Sequence, residues 1–181
     1  NSSTLSGIIS NGSLTLDCIN NTRSLTLTGA NTYTGATTVL GGTLALTGSG
    51  ALSSSTAVNI SAASANSTFD ISGITASGLT IGSLASGSAG SVNLGAKSLA
   101  VGANNTNTTV AGTISGTGGS ITKNGSGTMT LNSSNSYTGG TTLNAGSLTL
   151  GNTNALGTGG LTINGGTVGS SASTMVVAGN I

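Results

Sequence analysis

The sequence predicts an all-β protein, a parallel β-solenoid with no significant helix. Three observations predict it. Apolar residues recur at i and i+2 along the chain, they are medium-sized aliphatics, and one eight-residue phrase occurs twice, as NTYTGATT at 31–38 and NSYTGGTT at 135–142. Period two marks a strand with one buried face. A sandwich or barrel core about 10 Å thick is normally filled by large, often aromatic side chains, and this chain has one Phe, two Tyr and no Trp. A solenoid instead stacks Leu, Val and Ile of successive coils into ladders inside a narrow tube, and nothing larger is needed.

The strands follow in order from the paired apolar positions. They are Leu14/Leu16, Leu25/Leu27, Leu44/Leu46, Val58/Ile60, Phe69/Ile71, Leu79/Ile81, Val92/Leu94, Leu99/Val101, Met129/Leu131, Leu148/Leu150 and Leu161/Ile163. Gly, Asn or Ser bounds nearly every one, as in SGSG near 50, ASGS near 87 and GTGG at 116 and 157, which is turn chemistry. No sustained 3.6-residue period interrupts the series, and Glu is absent.

Composition removes several classes of function. The charged residues are Asp17, Arg23, Asp70, Lys97 and Lys123, scattered singly, so no patch exists to attract nucleic acid or an anionic membrane. Low charge with abundant Gly, Ser, Thr and Asn is also the composition of disordered segments. Here the apolar fraction is 35% and regularly placed, which argues for folding. The uncharged stretch from Ser24 to Phe69 contains no run of about 20 apolar residues, so no transmembrane helix is expected. The start, NSSTLSG, has neither a basic nor an apolar signal region, so a signal peptide is expected to have been removed or to lie outside this sequence. The single Cys18 excludes an internal disulfide framework and reads as a small buried hydrophobe or as an intermolecular partner.

Setting Tyr33 on Tyr137 also sets Leu25 on Met129, Leu27 on Leu131, Val39 on Leu143, Leu44 on Leu148, Leu46 on Leu150 and Leu52 on Leu156. With one-residue slips, Val58/Ile60 meets Leu161/Ile163, and the phrase Ser67 to Gly73 meets Ser173 to Gly179; upstream, Gly7 and Ile9 meet Gly112 and Ile114. The expected organisation is one solenoid over 1–181, with a first repeat copy at about 6–74, a spacer at about 75–110 and a second copy at about 111–181. At about 20 residues per coil this makes about nine coils, and at about 4.8 Å per coil a rod roughly 40 Å long.

The stretch from Ser126, SGTMTLNSSNSYTGGTTLNAGSLTLGNTNALGTGGLTINGGTV, resembles the passenger-associated repeat of bacterial autotransporters: an apolar strand, N-x-Y-T-G-G-T-T, a G-T-L-x-L strand and an A-L-G turn. Residues 24–60 are similar but looser, with Ala36 in place of Gly140 and ALSSST in place of ALGTGG. The resemblance implies a right-handed parallel β-helix exported across the outer membrane and displayed at the cell surface. It implies no activity, because passengers include adhesins, proteases and esterases. Nothing like the family's membrane barrel is seen, so the chain reads as a fragment or as a protein reaching the surface by another route.

No catalytic, cofactor-binding or metal-ligating residue is assigned, and no cofactor is expected. Asp17 and Asp70 are 53 positions apart and read as solvated charges and not as a catalytic pair. Without His there is no Ser-His-Asp triad, and Lys97 and Lys123 carry no Ser-Lys motif. Gly116-x-Gly118 precedes no helix, and sequons such as those at Asn59 and Asn107 arise by chance in so polar a chain. In the marker phrase, Gly35 and Gly139 are expected at φ > 0, Asn31 and Asn135 to bond local backbone, and the two Tyr to cover the exposed end of an aliphatic ladder. The function expected is a non-enzymatic surface stalk or filament subunit, self-associating through its ends, with a host or neighbouring-cell surface as partner. Ice binding is the alternative, on the T-x-T pairs Thr26/Thr28, Thr106/Thr108 and Thr128/Thr130, which show no constant coil spacing. A carbohydrate-active enzyme is the remaining one.

Overall fold

A computed structural model describes residues 2–18, 23–61 and 67–171. The chain winds as a parallel β-solenoid of about eight coils, close to the nine expected. The difference comes from coil length: paired positions lie from 19 residues apart (Leu25 to Leu44) to 26 (Val58 to Leu84), and not a uniform 20. Among the described residues no helix occurs, so none is long and apolar enough to cross a membrane. The expected match of Ser67–Gly73 to 173–179 lies outside the described residues.

Three sheets run along the rod. The first contains β1 (Ser3–Leu5), β3 (Ser24–Leu27), β5 (Thr43–Gly48), β7 (Thr68–Ile74), β10 (Ser91–Asn93) and β13 (Thr113–Ser115). The second contains β8 (Gly78–Thr80), β11 (Ser98–Val101), β14 (Ser120–Lys123), β16 (Thr141–Leu143) and β18 (Leu161–Ile163). The third, with eight strands, contains β2 (Leu14–Leu16), β4 (Thr37–Val39), β6 (Ala57–Ile60), β9 (Ser83–Ser86), β12 (Thr108–Val110), β15 (Thr128–Leu131), β17 (Ser147–Leu150) and β19 (Thr167–Ser170). Every pairing is parallel and joins one coil to the next.

Period two becomes ladders in this register. Leu25, Leu44, Phe69, Val92 and Ile114 stack in one inward column of the first sheet. Val39, Ile60, Ser86, Val110, Leu131 and Leu150 do so in the third. Each fully buried aliphatic contributes about 1.5–3 kcal/mol, and only because the coils on either side keep water off it.

The two marker phrases replace strands. Residues 31–36 bridge from β3 on the first sheet to β4 on the third, at a height where the second sheet has no strand. Residues 135–140 bridge from β15 on the third sheet to β16 on the second, after the first sheet has ended at β13. Aligned strands therefore occupy different sides: β3 and β5 lie on the first sheet, while their counterparts β15 and β17 lie on the third. Roughly four and two-thirds coils separate the two phrases, so the second is turned by about a third of a revolution relative to the first.

Candidate functional site

The most highly built feature of the molecule is the marker corner. Tyr33 and Tyr137 are fully buried, and each hydroxyl meets the hydroxyl four residues on, Thr37 or Thr141, at 2.6 Å. Thr37 stands in an inward ladder slot between Leu14 and Val58, and Thr141 between Ile121 and Leu161. A hydroxyl in such a slot would cost free energy if left unpaired, and the Tyr of the same phrase supplies its partner. The second Thr of each phrase, Thr38 or Thr142, faces out.

Asn31 and Asn135 clamp three coils. The side-chain Oδ1 of Asn31 accepts from the amide of Ile9 at 2.9 Å, and its Nδ2 donates to the carbonyls of Gly29 at 2.9 Å and Ala51 at 3.1 Å. Asn135 Oδ1 accepts from the amide of Ile114 at 2.8 Å, and its Nδ2 donates to the carbonyl of Ala155 at 2.6 Å. Ala51 and Ala155 open the ALSSST and ALGTGG turns, so the Ala-Leu of each copy caps the Asn one coil before it. Further rungs are Thr56 Oγ1 to the Tyr33 carbonyl at 2.9 Å and the Thr158 amide to the Tyr137 carbonyl at 3.2 Å.

Three expectations for this phrase are corrected. The two rings sit inside the tube and do not cover its end, because the hydroxyl has an internal partner. Gly35 and Gly139 are not at positive φ; Gly140 is, at 88°. Gly35 and Gly139 are glycine because a Cβ would lie 2.2 Å from the Gly12 carbonyl oxygen or 2.5 Å from that of Gly118, in the preceding coil. The Asn side chains reach local backbone only at Gly29, and their other bonds span 20 to 22 residues.

The charged residues do not converge. Asp17 is exposed beyond β2. Asp70 lies on the outside of the first sheet, three coils further on, where it accepts from the Ser72 amide at 2.8 Å and Asn93 Nδ2 at 3.1 Å. Lys123 is the unexpected one, 1% exposed in an inward slot between Val101 and Leu143. Its Nζ donates to the carbonyls of Asn124 at 2.5 Å, Gly125 at 2.9 Å and Ala145 at 3.4 Å, and burial holds its pKa below the usual value. Cys18 is half-buried and lines a cleft of about 420 Å³ with Leu16, Arg23 and Leu25. Among the described residues no group of three or more His, Cys, Asp or Glu side chains is placed to hold a metal.

Asn59 faces out from β6, while the side chain of Asn107 accepts from the Thr128 amide at 2.8 Å. Gly116 and Gly118, at φ 148° and 80°, form the turn between β13 and β14. Of the three T-x-T pairs, Thr106/Thr108 is misread: Thr108 is in register with inward Met129, and Thr109 faces out instead.

No curated protein and no solved structure matches the chain. The family model of the passenger-associated-transport-repeat matches residues 10–46 and 121–150, each of which contains a marker phrase or the strands flanking it. The double match and the parallel solenoid fit an autotransporter passenger domain.

Proposed function

We propose, for a chain with two passenger-associated transport repeats on one parallel solenoid, that it is a non-enzymatic extracellular rod: a cell-surface stalk, or a filament subunit stacking head to tail. The observation that carries this reading is the clamping of coil to coil at Asn31 and Asn135. There the most specific chemistry of the sequence is turned inward to hold the rod together. A rigid extended body with a sparsely charged surface suits reach and display at a bacterial surface. An adhesive contact with a host or neighbouring cell then belongs to the outer faces of the sheets.

Head-to-tail association is the second part of the proposal. Strand edges without a partner invite pairing with another chain. Among the described residues β1 and β2 have no strand on their outer edge, and Leu5 and Ile8 beside them are 44% and 64% exposed. Electron microscopy of the purified chain tests both parts. Rods about one solenoid long are expected for a stalk, and long unbranched fibres for a filament subunit; compact round particles would remove both. Incubation with a polysaccharide panel is expected to release no sugar.

A further inference from the structure

Coil lengths vary, so the outward columns cannot be counted from the sequence, but the register assembles them. On the second sheet Thr80, Ala100, Thr122, Thr142 and Thr162 stack in one outward column. Beside it stands a column of Asn124, Asn144 and Asn164. Asn144 Nδ2 donates to Asn124 Oδ1 at 2.8 Å, and Asn164 Nδ2 donates to Asn144 Oδ1 at 2.8 Å. The amides thus lock one another's orientation from coil to coil. Three successive coils present a Thr-x-Asn row, repeating at about 4.8 Å along the rod and spaced about 6.6 Å across it, two residues' rise.

The character of this face selects its partner. No charged side chain stands in either column, and the one cation of these strands, Lys123, points into the core. A polyanion or lipid head group would need the opposite. All three aromatic rings, Tyr33, Phe69 and Tyr137, are fully buried, so no ring is offered for stacking on a sugar or for anchoring a protein partner. What remains is a neutral partner whose own hydrogen-bonding groups repeat across a plane. We propose that the outer face of the second sheet is an ice-binding surface, the hydroxyl, methyl and amide groups of Thr122, Thr142, Thr162, Asn124, Asn144 and Asn164 holding water in register with a crystal face. The proposal is independent of the stalk or filament reading, since a rod of either kind presents the same face.

The test is partition of the full chain into slowly grown ice, together with thermal hysteresis. The chain is expected to be enriched several-fold in the ice fraction and to show hysteresis above instrument error. Thr142→Lys is expected to abolish both, while Thr43→Lys, on the outside of the first sheet, retains them. Circular dichroism establishes that each variant is folded, and Asn144→Lys, at an exposed position, replaces Thr142→Lys if that variant is not. Exclusion of the unmodified chain from ice overturns the proposal. So does equal partition of Thr142→Lys or Asn144→Lys and the unmodified chain, or binding to insoluble cellulose with none to ice.

Discussion

Asn31 and Asn135 each commit both ends of a short side chain to backbone groups of neighbouring coils. Replacing Asn135 by Ala leaves the buried Ile114 amide and the Ala155 carbonyl without partners, at about 1–3 kcal/mol per orphaned group. At Asn31 only the Ile9 amide is orphaned, because backbone amides still donate to the Gly29 and Ala51 carbonyls. Asn135→Ala is expected to lower the midpoint of denaturant unfolding accordingly, with little change in slope. Lys123 sets the alkaline behaviour. Its folded pKa lies below the usual 10.5 because of burial, so between those values the unfolded chain holds a proton the folded chain has lost, and stability rises with pH. Tyr33 and Tyr137 act in the opposite sense. Burial raises both, Tyr137 to about 12, against a smaller lowering by the Thr37 and Thr141 bonds, so above pH 10 the unfolded chain ionises first and stability falls. Unfolding measured at stepped pH is expected to climb towards pH 10 and then decline; Lys123→Met is expected to remove the climb and keep the decline. Nothing in the sequence distinguished Lys123 from a solvated charge except its place in a period-two slot after Ile121, which is the signal that could have found it.

At the scale of strands and corners, the apolar pairs were legible because a strand's period is local: Leu44/Leu46 or Val92/Leu94 needs no knowledge of the neighbouring coil. The corners were not, because their constraints come from residues about 20 positions away through coils of unequal length. Gly35 shows the difference. Its glycine answers to the Gly12 carbonyl of the previous coil and not to its own φ. Gly35→Ala is therefore expected to destabilise by more than about 1 kcal/mol. Gly160→Ala, where an added Cβ meets nothing within 4 Å, is expected to be neutral or to stabilise by up to about 1 kcal/mol. Thermal melts of the two variants side by side check the pair. The outward Thr column of the second sheet was hidden for the same reason as the corners, while the sequence pairs of Thr that stood out fell partly on inward positions.

For the whole molecule, stability is a sum along one axis, with each coil coupled chiefly to the next. About eight coils at about 4.8 Å give a rod nearly 40 Å long, and small-angle scattering of the dilute chain is expected to return an elongated body of that length or a multiple of it. The third-of-a-revolution turn between the marker phrases means that the two phrases do not share a face, so a ligand reading one side of the rod would meet the phrase once and not twice. The same offset puts the two tyrosines at different heights, sealed from water, in a chain without tryptophan. Its near-ultraviolet emission thus comes from two lamps, one near each end. Replacing one by phenylalanine leaves the other to report when its own stretch lets go, so the order in which the rod comes apart is open to direct optical observation.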